Sequence, residues 1–295
     1  MKFDLENPLS SSNEHENDTV SALFAAESDH MPSFFSFKST DIPFFIRRHA
    51  FSLISQVQFS YNLDQFTTYL AVNYIDRFLS KQPVPGNKPW IVRILAIASL
   101  SLAAKMRSIS LSLFDFQRDE GLIFDSQSIQ RMEVLILTTL NWRLRSITPF
   151  AFLQFFESLF ELSESSLSQI LKDRATDIIF SSHYEVKLFE YKQSILAASA
   201  LLCAAHELVP QQFSFFLDAV SKWEHINKDE LLNCWELMRD VTDAGKSTID
   251  EMSSISLTPK TVLDYEVTSP QNENNSKRRR LSGFRNDQTF HISQL

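Results

Sequence analysis

The feature of this sequence that most restricts its fold is a nearly continuous apolar segment that occurs twice. ILAIASLSLAAK covers residues 94–105 and ILAASALLCAAH covers residues 195–206, with six of the 12 aligned positions identical. A helix that is apolar on all sides is buried in the centre of a domain. The offset of 101 residues is longer than the roughly 20–50 residues of a solenoid repeat. The two copies therefore predict tandem all-helical domains, each built around one central helix.

Glycine is too scarce for most β-rich and nucleotide-binding folds. The 295 residues include four glycines and 26 phenylalanines, and phosphate loops and many-turned β-folds need glycine where φ is positive. Seven scattered histidines, none paired at i,i+4 on a helix, make zinc chemistry unexpected. Cys203 and Cys234 lie in apolar stretches with a helical pattern and are predicted to be free thiols in the core. Neither a metal nor another cofactor is expected.

Polar tails flank the helical core. Residues 1–30 carry seven acidic side chains against the single Lys2, and the residues from Ala244 onward are also polar. Such compositions bury too little apolar area to fold, so both tails are expected to be disordered. The predicted boundaries are a mostly disordered acidic segment over 1–40, helical domains over 41–145 and 146–243, and a disordered tail over 244–295.

Apolar periodicity and helix-start signals place the core helices. They predict helices over residues 43–57, 63–79, 90–105, 126–141 (with a serine cap), 195–206 and 227–241, with a further start at Pro149. No run reaches 18 apolar residues, and the N-terminus lacks an apolar signal region, so no membrane segment is expected. The net charge of −8 argues against general binding of nucleic acid.

The two central helices end differently. Lys105 closes the first and His206 closes the second. A lysine there can simply reach solvent and complement the helix dipole, and Glu133 can be either solvated beside Arg131 or partnered across helices. If the helices pack together, Lys105 and Glu133 form an ion pair at the domain surface, with donors and acceptors left for another protein's backbone.

Three blocks of sequence carry a family resemblance. They read YLAVNYIDRFLS (69–80), W..RILAIASLSLAAKM (90–106) and IQRMEVLILTTLNWRLRSITPFAFLQFF (129–156). Through these blocks and the internal repeat, residues 41–241 resemble the two cyclin boxes of a plant D-type cyclin, with motif divergence similar to the sixth D subclass. The resemblance implies an all-α fold: two tandem five-helix cyclin-box domains with disordered N- and C-terminal tails.

The resemblance also implies a function. Cyclins are non-enzymatic subunits that bind and activate a cyclin-dependent Ser/Thr kinase, and D-type members promote the G1/S transition and cell division. Lys105 and Glu133 match the family's kinase-binding lysine and glutamate. The implied partners are the kinase catalytic subunit, retinoblastoma-like substrates and kinase inhibitors, with no membrane and no direct nucleic acid.

Several positions depart from the family pattern. Met106-Arg107-Ser108 stands where plant D-type cyclins usually have Met-Glu-Glu, which reverses the local charge. Leu53 and Arg93 occupy the positions of the family's substrate-docking tryptophan and glutamine. Because Arg93 is cationic, this degenerate patch is expected to disfavour Arg-x-Leu motifs.

The motif Leu-x-Cys-x-Glu, which docks retinoblastoma-like proteins, is absent from the first 40 residues. The string occurs instead at 232–236, within the last predicted helix. That motif is bound in an extended conformation, so we expect these residues to be part of the helical core and not a docking site.

Short motifs in the C-terminal tail suggest regulation. A basic run is a candidate for nuclear import, which favours a nuclear location shared with the cytoplasm; it comprises Lys277, Arg278, Arg279 and Arg280. Thr258, Ser269 and Ser282 resemble phosphorylation sites, where phosphate would add about −1.5 to −2 of charge.

Three alternatives compete with an activating subunit. Ser182, His183 and Glu185 could form a catalytic set, but no nucleophile elbow or glycine-built oxyanion turn accompanies them. A cyclin-fold adaptor of the transcription-factor type would need a basic core, which this chain lacks. A kinase-binding scaffold that no longer activates is made conceivable by Arg107 and Arg93.

Overall fold

The protein is described by a computed structural model over residues 16–33, 41–85, 88–111, 124–160 and 165–254. Within these ranges the regular elements are all helical, which confirms the all-α prediction. The α-helices are α1 (Glu16–Ala26), α2 (Asp41–Tyr61), α3 (Gln65–Leu79), α4 (Pro89–Met106), α5 (Ser126–Thr139), α6 (Phe150–Ser158), α7 (Ser165–Ser182), α8 (Gln193–Leu208), α9 (Phe213–Ser221) and α10 (Lys228–Ser254).

The twin apolar segments form the two central helices, as predicted. Helix α4 is buried from Ile91 to Ala104 and packs against α2, α3 and α5. Helix α8 is buried from Gln193 to Ala205 and packs against α6, α7 and α9. By length and composition α4 could cross a membrane, but 78% of it is buried inside the fold, as in the core helix of a soluble protein.

Side-chain caps set the starts of the helices that flank α4. The Asp64 carboxylate accepts a hydrogen bond from Thr67 N at 2.9 Å and starts α3. Asp125 accepts from Ser128 N and starts α5, so the predicted serine cap of this helix is wrong. A carboxylate at this position also complements the positive end of the helix dipole.

Helix α5 ends two residues earlier than predicted because its C-terminal turn leaves helical geometry. Asn141 and Trp142 have φ of 53° and 60°, in the left-handed region, and Trp142 N donates to Leu137 O at 2.8 Å. The helix ends at this hydrogen-bonded turn, after which the chain continues into the second domain.

Residues 16–33, here called the N-terminal strap, are ordered within the acidic segment 1–40, whose remaining residues lie outside the described ranges. Val20 and Phe24 lie one turn apart on α1 and are 3% and 6% exposed. The Phe24 ring lies 5.0 Å from Phe152 and 4.9 Å from His225, both in the second domain. Two buried apolar side chains each contribute roughly 1.5–3 kcal/mol, which offsets part of the cost of ordering the 11 residues of α1.

The strap also makes polar contacts with both domains. Glu27, 1% exposed, accepts hydrogen bonds from Ser194 N (2.8 Å) and Ser194 Oγ (3.0 Å) at the start of α8. Ser33 N donates to Ser80 Oγ at 2.8 Å, at the end of α3. The strap therefore joins the two domains at points far apart in sequence.

The last helix corrects the other boundary. Helix α10 continues to Ser254, ten residues past the start predicted for the C-terminal tail. No proline occurs between Pro210 and Pro259, and the single Gly245 costs a helix only about 1 kcal/mol relative to alanine. The tail beyond 254 lies outside the described residues.

A buried arginine ties the two domains together. Arg47, on α2 and 2% exposed, donates through Nε to Asp76 Oδ1 on α3 at 2.8 Å. Its Nη2 donates to His183 O at 2.6 Å and its Nη1 to Tyr184 O at 3.1 Å, both just after α7. The guanidinium also lies over the Phe189 ring at 4.9 Å. One side chain thus satisfies a buried carboxylate and two backbone carbonyls of the other domain.

Two histidines near this junction are held neutral. Burial, assisted by Arg77 and Arg143, lowers the pKa of His30 from 6.5 to about 4. Burial and then Arg47 lower the pKa of His183 well below its usual 6.5. The unfolded chain binds protons at these positions near pH 6.5 and the folded chain does not. Their contribution to stability is therefore complete above pH 6.5 and is lost as the pH falls.

Removing the Arg47 side chain should destabilise the protein strongly. We expect Arg47→Met to lower the free energy of unfolding by about 3–5 kcal/mol, because the Asp76 carboxylate is left buried and unpaired. Adding Asp76→Leu should recover part of the loss. Urea unfolding followed by circular dichroism at pH 7.5 measures both. A loss below about 1 kcal/mol in the single variant would contradict the role given to Arg47.

The strap histidine should make stability pH-dependent. Between pH 7.5 and pH 5, the free energy of unfolding of the wild-type protein should fall by up to about 2 kcal/mol more than that of His30→Gln, because glutamine does not titrate in this range. Urea unfolding at several pH values compares the two slopes. Parallel slopes would show that His30 is not held neutral in the folded state.

Candidate functional site

Lys105 and Glu133 form an ion pair on the surface of the first domain. Lys105 is in the last turn of α4 and Glu133 is in the middle of α5, and the two helices pack against each other. Lys105 Nζ lies 2.6 Å from Glu133 Oε1 and 2.7 Å from Oε2. The lysine side chain is 62% exposed and the glutamate side chain 10%. The buried carboxylate thus holds the ammonium group at the surface.

The pair contributes little to the stability of the fold. An exposed ion pair stabilises a protein by only about 0–1 kcal/mol. Its value lies in the charged groups that it presents, since the ammonium has three donors and each carboxylate oxygen has more than one acceptor site. A partner that covers the pair could place backbone groups against it and remove it from water, which strengthens each hydrogen bond.

Exposed apolar side chains adjoin the pair in the sequence, and sequence reasoning missed them. Val134 and Leu135 follow Glu133 on α5 and are 49% and 43% exposed, while Trp142 is 67% exposed just after the helix. The signal was available, because apolar residues occur on more than one face of 129–142 although one face suffices for packing. We call Lys105, Glu133, Val134, Leu135 and Trp142 the first-domain surface.

The second domain lacks the equivalent pair. With the 101-residue offset, His206 and Cys234 replace Lys105 and Glu133. The His206 ring lies against Phe213 and Trp235, at 5.4 Å and 5.7 Å between centroids, and Cys234 is fully buried. Of the two domains, the first therefore has the Lys105–Glu133 ion pair, and the second has no counterpart at the equivalent positions.

Arg107, the charge reversal noted in the sequence, is used inside the first domain. Its Nη2 lies 3.4 Å from Asp64 Oδ1, the cap of α3, and its guanidinium lies 5.0 Å from the Phe66 ring centroid. Asp64 therefore offsets part of the positive charge that the sequence introduces after Lys105.

Leu53 and Arg93 do not form an exposed patch. Each is only 7% exposed, on α2 and α4, which pack together. A docking site at these two positions would offer little side-chain area. Weak binding of Arg-x-Leu motifs stays a prediction, with burial as a second reason beside like charge.

The candidate catalytic set has structural roles. Ser182 Oγ donates to Ile179 O at 3.2 Å within α7. His183 faces Asp76, with Nε2 3.7 Å from Oδ2, and stacks on the Tyr69 ring. Glu185 accepts from Lys187 N at 3.0 Å and starts a short 3₁₀ turn. In the described ranges, no group of three or more potential ligands could hold a metal ion.

The internal Leu-x-Cys-x-Glu string is part of the core. It lies on α10, where Cys234 is fully buried. Both cysteines are free, as predicted, and burial raises the pKa of Cys234 to about 12. A helical segment with a buried thiol cannot present this motif in an extended form.

The tail motifs cannot be placed. The candidate import residues Lys277, Arg278, Arg279 and Arg280 and the candidate phosphorylation sites Thr258, Ser269 and Ser282 lie outside the described residues.

Known proteins match this chain along most of its length. The cyclin N-terminal domain model matches residues 18–145 and the cyclin C-terminal domain model matches residues 147–257. A putative cyclin-D6-1 of Arabidopsis thaliana is 40% identical over 95% of this chain and 100% of its own length. Cyclin-D6-1 of Oryza sativa subsp. japonica is 38% identical over 90% of this chain and 82% of its own length.

Solved structures share the fold. A viral cyclin from herpesvirus saimiri aligns with a TM-score of 0.63 at 18% identity, over 79% of this chain and 100% of its own. A chain of the CAK complex from Chaetomium thermophilum aligns with a TM-score of 0.51 at 15% identity, over 81% of this chain and 76% of its own. Together with the two domain matches and the relatives in Arabidopsis and rice, this places the chain in the cyclin family, among the plant D-type cyclins.

Proposed function

We propose that this chain is the regulatory subunit of a cyclin-dependent Ser/Thr kinase, which it binds and activates through the first-domain surface. The observation that carries the proposal is the Lys105–Glu133 pair, which is 62% exposed on the lysine side and occurs in only one of two similar domains. Membership of the family supports the class of partner, and the exposed geometry of the pair supports its choice as the contact site.

Activation in this proposal is a shift of the kinase between conformations. A protein kinase transfers phosphate only when its lysine–glutamate pair and its metal-binding aspartate are in place. A subunit that binds this arrangement more tightly than the inactive one shifts the population. A change from 1:99 to 99:1 requires about 5.5 kcal/mol of preference. The cyclin then contributes binding energy and no group that takes part in phosphoryl transfer.

The first-domain surface offers apolar area that supports such a preference. Burying a fully exposed apolar side chain contributes roughly 1.5–3 kcal/mol, and Trp142, Leu135 and Val134 are 67%, 43% and 49% exposed, so covering each contributes about half of that. Tryptophan is enriched among the residues that dominate binding energy. The ion pair adds specificity, because a partner must place hydrogen-bonding groups of complementary polarity against it.

The cellular role is a finer part of the proposal. As in the family it resembles, the complex would promote the G1/S transition and cell division by phosphorylating a retinoblastoma-like protein. Residues 277–280 would direct the chain to the nucleus, with a share in the cytoplasm. Since the internal Leu-x-Cys-x-Glu string is on a core helix, such a substrate would be recognised by another route.

A second candidate is a scaffold that binds the kinase without activating it. Arg107 supports this reading, because it reverses the charge next to Lys105. Its contact with Asp64 reduces that effect, so activation remains the first proposal. A cyclin-fold adaptor of the transcription-factor type has less support, because the chain carries a net charge of −8.

Alanine substitution of the ion pair should weaken kinase binding. We expect Lys105→Ala and Glu133→Ala each to cost about 2–5 kcal/mol, or roughly 30-fold or more in the dissociation constant, with little change in melting temperature. The measurement is calorimetry or surface plasmon resonance with a purified plant cyclin-dependent kinase, followed by phosphorylation of a histone or a retinoblastoma-like substrate.

The second domain provides the matched control. Arg174 and Glu207 form an ion pair at 2.7 Å between α7 and α8, and their alanine variants should bind and activate normally. Equal effects at both pairs, or none at Lys105 and Glu133, would remove the site assignment. Wild-type binding without activation would favour the scaffold.

Trp142 should be a main apolar anchor. Trp142→Ala should weaken kinase binding by about 2 kcal/mol or more while the unfolding midpoint stays close to that of the wild type, since the side chain is 67% exposed. Phe215→Ala, at a 56% exposed position of the second domain, is the comparison. A weaker effect at Trp142 than at Phe215 would contradict this placement.

A further inference from the structure

A small cavity with a mainly apolar wall and a few polar side chains lies where the two domains meet. It has a volume of about 30 Å³, and its lining includes Asn73 and Asp76 from α3, His183 after α7, and Gln193 at the start of α8. Pro32 of the N-terminal strap, which is buried, forms another part of the wall. The cavity is therefore bounded by the first domain, the second domain and the strap.

Two amide oxygens in this wall lack a protein partner. Asn73 Oδ1 and Gln193 Oε1 are buried and make no hydrogen bond within the described part of the chain, although the residues are only 3% and 4% exposed. A buried acceptor without a donor costs about 1–3 kcal/mol. The two residues line the same cavity from helices of different domains, so one donor in the cavity could satisfy both oxygens.

The size and charge of the cavity limit what that donor is. Roughly 10–15 Å³ of such space holds one water molecule, so the cavity of about 30 Å³ has room for two or three. An anion is disfavoured by the amide oxygens and by the Asp76 carboxylate. A cation is disfavoured because Asp76 is already paired with Arg47 at 2.8 Å, which places a guanidinium nearby. A neutral molecule with two donors fits best.

We propose that the cavity is a water-binding site in which an internal water donates to both Asn73 Oδ1 and Gln193 Oε1. The water joins α3 of the first domain to α8 of the second. It stands beside the direct Arg47 contacts and is closed off on one side by Pro32. The orientation of the second domain relative to the kinase-binding domain then depends on a bridging solvent molecule as well as on side chains.

The sign of a stability change tests the proposal. If a water satisfies Gln193 Oε1, replacing the residue with methionine, which has nearly the same shape, removes that hydrogen bond together with any made by Nε2 and lowers the urea midpoint, so a lowered midpoint counts for the proposal only with the coupling measured below. If no water is bound, Gln193→Met removes an unsatisfied buried group and raises the midpoint. The same reasoning applies to Asn73→Leu.

A double-mutant cycle adds a test that does not depend on either variant alone. Because both oxygens share one water, the losses for Asn73→Leu and Gln193→Met should be less than additive. Ser99→Ala is the control: Ser99 Oγ is also buried without a partner in the described residues but is not among the lining residues given for the cavity, so its effect should add to that of Asn73→Leu.

Direct observation covers the case in which a variant does not fold. A crystal structure of the wild-type protein at about 2 Å or better should show density within hydrogen-bond distance of both oxygens. A raised midpoint in Gln193→Met, additive losses at Asn73 and Gln193, or a well-ordered cavity without density at both oxygens would each overturn the proposal.

Discussion

The contact between the two domains is organised around the buried side chain of Arg47. The Arg47 guanidinium carries five N–H donors, so burying it requires acceptors for them. The first domain supplies the Asp76 carboxylate, and the second supplies the carbonyls of residues 183 and 184. Because neither domain alone satisfies the guanidinium, docking of the second domain completes the hydrogen bonding of the first. The first-domain surface is then carried by a domain whose α2 and α3 are fixed by contacts with the second domain.

The strap reinforces the same junction with different chemistry. Phe24 enters an aromatic cluster of the second domain, while Glu27 uses the donors at the start of α8. Burial raises the pKa of Glu27, and the hydrogen bonds from Ser194 act in the opposite direction. A carboxylate placed on unpaired N–H groups at a helix start is favourable, which explains why an acidic segment returns to an apolar core.

The sequence was informative where one helix face or one helix carried the signal by itself. The central helices were predictable because every face is apolar. The Lys105–Glu133 contact was predictable because both are charged residues within largely apolar stretches of sequence. The strap was missed because Glu27 is recognisable only beside Ser194, 167 residues away. Arg47 was missed because Arg47 and Arg48 look alike in sequence, although one is buried and the other exposed. The burial of Arg93 depends on the packing of α2 on α4, which no local pattern encodes.

The central claim is that a kinase covers the first domain at the end of α4 and along α5, and leaves the corresponding part of the second domain open. Hydrogen–deuterium exchange of the chain, with and without a bound plant cyclin-dependent kinase, tests this most directly. The account predicts slower exchange over residues 105–111 and 133–145 in the complex, with no change over 206–215. Protection confined to 206–215, or no protection around Glu133 in a complex that demonstrably forms, would contradict it.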